Sequence, residues 1–151
     1  QSHLTREWDQ RDVDLPLESK YEALILASII EKETGAGFER PLISGVFVRR
    51  LKKNMRLQTD PTIIYGLGEE FDGDIRFRDL KKDTPYNTYL HAGLTPTPIA
   101  LPGLEAIRAA LHPAKTDALY FVSKGDGTHQ FSATLDEHNT AVRRYQLNKA
   151  K

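Results

Sequence analysis

The segment YEALILASIIEKET, positions 21–34, constrains this chain more than any other. It holds only good or tolerable helix formers, and Gly35 follows where a left-handed helix stop is wanted, so the spacing predicts a helix over 21–34. Its apolar run, ALILASII, is the longest in the chain and far too short to span a bilayer. The helix therefore belongs to a packed core, and 151 residues suffice to build one.

Two carboxylates, Glu31 and Glu33, end this apolar helix. With successive residues turned by roughly 100°, Leu26, Ile29, Ile30 and Glu33 share one arc, and Tyr21, Ser28, Glu31 and Lys32 lie opposite. A carboxyl on the apolar arc is desolvated, and one in a last helical turn faces partial negative charge. Both effects raise its pKa, which describes a general acid usable near neutral pH. Spacing alone leaves a second reading open, a solvated glutamate beside Lys32, which is the commoner outcome at a helix end. Glu31, on the polar stripe, reads as a partner for a basic group.

The rest of the chain reads as α+β: a mainly helical domain with a small antiparallel hairpin and a long proline-rich loop. Residues 1–19 are polar and aperiodic and read as an extended lead-in pinned by Trp8; residues 20–151 read as a single domain. RPLISGVFVRRLKKN predicts a second helix with Pro41 in its first turn and a basic cluster at its C-terminal end. Asp60, before Pro61, can cap a short helix closed by Gly66 and Gly68. Positions 69–101 read as loop, and PYNTYLHAGLTPTPIALPG carries too many prolines to pair regularly. GLEAIRAALHP predicts another helix, ALYFVSKGDGTHQFSAT a β-hairpin, and Thr134 with Glu137 the capping box of a last helix running to the end.

Composition excludes several functions. Lys+Arg and Asp+Glu both number 21, so no net field draws the chain to a polyanion. No cysteine is present, which removes disulfides, thiol catalysis and thiolate-held zinc. The histidines lack paired metal-ligand spacing, so neither metal nor cofactor is expected. The basic run VRRLKKNMR sits where helix C-termini collect cations, which argues against a nucleic-acid module. The N-terminal stretch lacks a signal-peptide pattern.

Five blocks in order, ASIIEKETG, VFVRRLKKNMRLQTDPTIIYGLG, YNTYLHAGL, HPAKTDALYFV and GTHQFSATLDEHN, resemble the endolytic murein transglycosylases of bacteria, the MltG or YceG-like family, from about Tyr21 to Tyr145. The resemblance implies that Glu33, matching the second glutamate of EKET, is the catalytic residue. It implies a lyase that cuts the β-1,4 bond between N-acetylmuramic acid and N-acetylglucosamine and closes a 1,6-anhydro ring. Peptidoglycan glycan strands would be the substrate, cell-wall synthases the candidate partners, and the periplasmic face of the inner membrane the location, reached through an N-terminal anchor that this sequence lacks. For the cleft walls the candidates are Gln58, Thr59 and Asp60 of LQTDP, Tyr65, and Tyr86, Asn87 and Tyr89 of YNTY, with Glu31 as electrostatic support. A helix cap for TDP and ordinary core packing for the tyrosines stay open. One departure concerns the proline loop, where Thr95, Thr97 and Leu101 replace the expected Pro, Gly and Asn. The rival activities are a glycoside hydrolase with Asp60 or Glu31 assisting Glu33, and a non-catalytic glycan-binding or scaffold domain.

Overall fold

A computed structural model describes residues 2–33 and 36–147. Helix α2, Lys20–Glu33, is the axis against which four of the other helices pack. Leu26, Ala27, Ile29 and Ile30 are fully buried, and each large aliphatic among them contributes roughly 1.5–3 kcal/mol by leaving water. The expected helix is therefore present to Glu33; the predicted stop at Thr34 and Gly35 lies outside the described residues. Burial goes further round the helix than the two-arc reading allowed. Ser28, placed on the polar arc by its spacing, is fully buried, because its hydroxyl donates to the Ile25 carbonyl at 2.6 Å and accepts from the Ile99 amide at 3.0 Å. One small polar residue thus satisfies two buried backbone groups and fixes the proline-rich loop to the axis.

The lead-in is a correction. Residues Ser2–Asp9 form helix α1 rather than an extended segment, and within the described lead-in only Gln10 to Ser19 lack regular structure. Leu4 and Trp8, one helical turn apart, pack on the core, and Glu7 is buried against Arg108 at 3.2 Å. Two apolar residues make too short a stripe to register as periodicity; the partner helix supplies what the segment lacks. That partner is α6, Leu104–Leu111, which also packs on α2 through buried Ala106, Ala109 and Ala110.

Helix α3, Arg40–Lys52, has Pro41 in its first turn and Ile43, Val46 and Phe47 buried. Helix α4 spans Asp60–Leu67. Gly68 closes it with φ +58, a conformation open to glycine, while Gly66 lies inside and packs on Thr84 and Tyr86. The stretch read as loop after it contains a five-residue helix, α5, Phe77–Lys81, started by the Asp79 carboxylate accepting from the Arg76 amide at 2.8 Å. Too short for a periodic signal, it was invisible to pattern reading. From Lys82 to Gly103 the chain is the expected irregular loop.

The hairpin is as expected: β1, Tyr120–Ser123, pairs antiparallel with β2, His129–Ser132, in the register Tyr120↔Ser132 to Ser123↔His129. Helix α7, Leu135–Val142, opens with the predicted capping box, Thr134 Oγ1 accepting from the Glu137 amide at 3.2 Å, and packs on the hairpin. It then widens into a π-helical turn, Arg143–Leu147, instead of continuing as α-helix, and positions 148–151 lie outside the described residues. The architecture is α+β, with the hairpin set against one end of a helical body. No helix among the described residues is long and apolar enough to cross a membrane.

Candidate active site

The C-terminal end of α2 delivers Glu33 to the edge of the core, because Leu26, Ile29 and Ile30 beneath it are sealed. Facing it is the turn that enters α4. Thr59, the residue before that helix, is buried and does not cap it; its hydroxyl donates to Glu33 Oε2 at 2.6 Å. Asp60 does not cap either, being the first helical residue, and its Oδ1 accepts from the Tyr89 hydroxyl at 2.7 Å. The cap expected of TDP is thus replaced by two side chains turned toward the end of α2 and the loop.

A small network holds this turn in place. The Thr59 amide donates to Thr88 Oγ1 at 3.0 Å, the Gln58 amide to the Thr88 carbonyl at 3.2 Å, and the Thr62 and Thr88 hydroxyls meet at 2.8 Å. Gln58 carries φ +51, uncommon for a residue with a β-carbon, and lies immediately before the hydroxyl that reaches Glu33. Arg50 braces the other side. Although sequence position puts it among the basic residues at the end of α3, it is buried: Nε donates to the Leu119 carbonyl at 2.7 Å and Nη1 to the Arg56 carbonyl at 2.8 Å. The guanidinium thereby ties the hairpin entrance to the segment before Gln58. Burial pulls its pKa down, against the opposing influence of Tyr120 and Tyr89.

Glu33, Arg50, Gln58 and Asp60 open onto a cavity of about 430 Å³. Its lining combines Glu33, Arg50, Gln58, Asp60 and Tyr89 with Phe121, Val122, Ser123 and His129 of the hairpin and His138, Val142 and Gln146 of the last helical segment. Burial raises the Glu33 pKa above the ordinary glutamate value; Thr59 and His129 pull it down, and the negative Asp60 pushes it up. Desolvation dominates. The result is a carboxyl that keeps its proton to higher pH than an exposed one, in a cleft large enough for a sugar ring. Tyr89 is raised by burial and by its bond to Asp60, so it stays a neutral donor. His138, stacked on Tyr120 at 5.0 Å, is pushed down by burial and by Arg50. Among the described residues no group of three or more His, Asp or Glu is arranged to hold a metal ion.

The sequence-derived candidates separate into two sets. Glu33, Gln58, Thr59, Asp60 and Tyr89 come together. Glu31, Tyr65, Tyr86 and Asn87 do not line this cavity. Glu31 Oε1 accepts from the Gly103 amide at 2.8 Å, clipping α2 to the start of α6. Tyr65 and Tyr86 pack on each other with centroids 4.9 Å apart, and the Tyr86 hydroxyl meets Thr97 Oγ1 at 2.8 Å. Asn87 is buried with its amide fully used: Nδ2 donates to Leu80 and Lys82 carbonyls, and Oδ1 accepts from the Tyr89 and Leu90 amides. It shapes the loop that presents Tyr89. The departing Thr95 and Thr97 make hydrogen bonds within the proline loop, and Leu101 is exposed. Sequence reasoning missed Arg50, His129, His138 and the hairpin wall. His129 meets its partner Glu39 across 90 positions, a separation no spacing rule detects.

The model of the YceG-like family matches residues 1–144, including the lead-in that the sequence blocks left unmatched. A Bacillus subtilis (strain 168) protein named endolytic murein transglycosylase is 48% identical over 131 residues, covering 87% of this chain and 36% of that protein. A Streptococcus pneumoniae protein of the same name, from serotype 2 strain D39, is 34% identical over 134 residues, covering 85% and 24%. The crystal structure of a YceG-like protein from Listeria monocytogenes matches with a TM-score of 0.78 and 43% identity, over 92% of this chain and 42% of that one. The chain therefore spans less than half the length of these relatives.

Proposed function

The chain belongs to the YceG-like family, and from that premise we propose that it is the cleaving part of an endolytic murein transglycosylase, with Glu33 as general acid and base. The observation that carries this reading is the Glu33 carboxyl itself: held above its ordinary pKa by burial, bonded to Thr59, and open to a sugar-sized cleft. The names of the relatives supply the substrate class, the glycan strands of murein.

The proposed reaction breaks the β-1,4 bond between N-acetylmuramic acid and N-acetylglucosamine. Glu33 gives its proton to the departing oxygen, the sugar's own 6-hydroxyl closes on the anomeric carbon, and the resulting carboxylate receives that hydroxyl's proton. Because no water attacks, a second carboxylate to activate it is unnecessary. Gln58, Asp60 and Tyr89 supply hydrogen bonds to the strand, and Phe121 an apolar face. Glu31, Tyr65, Tyr86 and Asn87 support the cleft from behind. The same reading locates the work on peptidoglycan outside the cytoplasmic membrane, with cell-wall synthases as candidate partners.

A second reading draws on Asp60, which shares the cavity and acts electrostatically on Glu33: a two-carboxylate hydrolase. Mass spectrometry of products formed in heavy-oxygen water separates the two. Internal cleavage giving 1,6-anhydro-muramic ends without label supports the lyase. Labelled reducing ends would replace it with the hydrolase, and no cleavage at all would leave a glycan-binding domain.

A further inference from the structure

Glu39, in the short 3-10 turn Gly37–Glu39 before α3, is buried and spends both oxygens on one residue of β2. Oε2 accepts from the His129 amide at 3.0 Å and Oε1 from Nδ1 of the same histidine at 2.8 Å. The two side chains are only 5% and 10% exposed, so this is a desolvated carboxylate–imidazole pair. Burying such a pair is costly unless its geometry is used, and an apolar contact would join the turn to the strand at less cost.

The geometry has a chemical consequence. A carboxylate only accepts, so Nδ1 carries the hydrogen, and in the neutral imidazole Nε2 is then the acceptor nitrogen. Nε2 has no hydrogen-bond partner among the described residues, and His129 lines the same cavity as Glu33. Phe121, edge-on at 5.3 Å and 88°, and Phe131 at 6.3 Å flank the ring and restrict its rotation. A carboxylate that fixes an imidazole tautomer while the far nitrogen faces a reaction cleft is the arrangement by which a histidine is made into an oriented base.

Resting on the cleavage reading above, we propose that His129 is a second proton-transfer residue of the cleft, which carries the proton of the attacking hydroxyl to the Glu33 carboxylate. The bond from the anomeric carbon to the departing oxygen breaks as that oxygen takes the Glu33 proton. The bond from the 6-oxygen to the anomeric carbon forms as the 6-oxygen gives its proton to Nε2. Glu39 holds the imidazolium, which then returns a proton to the Glu33 carboxylate. Both residues end as they began, and no water is consumed. A positive charge on His129 favours the Glu33 carboxylate, which is the state the pair occupies between the two proton transfers.

The test uses glycan strands and a second substrate of the same strand with a nitrophenyl group as the departing aglycone, which leaves without acid help. His129→Gln keeps a donor for Glu39 but has no basic nitrogen; on strands its kcat should fall by about 10²-fold with KM little changed. Glu39→Gln keeps the histidine but loses the ring's fixed tautomer, and its kcat should fall roughly tenfold. On the activated substrate, Glu33→Gln should regain anhydro-product formation, and the Glu33→Gln/His129→Gln double variant should lose it again. Retention of strand cleavage within threefold by His129→Gln, or equal rates for the double variant and Glu33→Gln on the activated substrate, overturns the relay while the cleavage reading stands. Absence of anhydro product from wild-type protein on strands overturns that reading and the relay with it.

Discussion

Thr59 Oγ1 donates to Glu33 Oε2 across 2.6 Å, joining the end of the central helix to the turn that enters α4. This bond favours the carboxylate and is the largest influence opposing burial at Glu33. Thr59→Val, close to isosteric at a buried position, removes the donor and should raise the Glu33 pKa further, moving the basic limb of the rate profile to higher pH. Thr59→Ser should restore it. Carbon NMR of labelled glutamate in the free protein reads the shift directly; an unchanged midpoint in Thr59→Val would mean that the bond has no hold on the acid.

Asp60 acts in the opposite sense. Its charge raises the Glu33 pKa, and its own Oδ1 is held by Tyr89 at 2.7 Å. Asp60→Asn should lower the Glu33 pKa, so a smaller fraction is protonated near neutrality and kcat there falls by a few-fold to roughly tenfold. Activity should recover as the pH is lowered. A loss of three orders of magnitude that no pH restores would instead make Asp60 an obligatory second carboxylate, as a hydrolase needs.

The placement of Glu33 was legible because it rests on one helix: three aliphatic residues on the same arc as a terminal carboxyl predict desolvation wherever the neighbours come from. The capping box at Thr134 and Glu137 and the Gly-Asp-Gly hairpin were legible for the same reason, since local geometry decides them. What escaped depends on partners distant in the chain. Helix α1 needs α6 to hold Leu4, Glu7 and Trp8; Ser28 is buried because a loop seventy-one positions away comes back to it; Arg50 looks like an ordinary C-terminal cation until its acceptors at Leu119 and Arg56 are known. Tyr65 and Tyr86 carry the same chemistry as Tyr89, and residue type alone could not tell which of them reaches the cavity.

Arg50 gives a prediction about stability and the cleft together. Its rigid fork reaches two carbonyls from different segments, and a lysine ammonium on a flexible stem cannot hold both with the same geometry. Arg50→Lys should cost about 2 kcal/mol of unfolding free energy and loosen the hairpin against the Gln58 turn. Denaturant titration measures the first effect, and amide exchange at Leu119 to Val122 the second. A variant as stable as wild type, with unchanged exchange, would show that the carbonyls find other donors.

The last prediction concerns Glu33 and pH. Its folded pKa lies above the unfolded value, chiefly through burial, so between the two values the folded state binds more protons than the unfolded one. Stability attached to this group is therefore fully present below the ordinary glutamate pKa and is lost as pH rises through the raised folded value. Glu33→Gln cannot titrate, yet its amide oxygen can still accept from Thr59. The variant should match wild type in acid and be the more stable of the two at neutral pH, while cleaving strands at least 10²-fold more slowly. Thermal unfolding of both proteins across pH 4 to 8 should give melting curves that diverge as the pH increases. Parallel curves would mean that Glu33 titrates alike in both states, and the burial of the carboxyl would then do nothing to keep its proton in place. A variant that became more stable and stayed active would separate the strain at this position from the chemistry assigned to it.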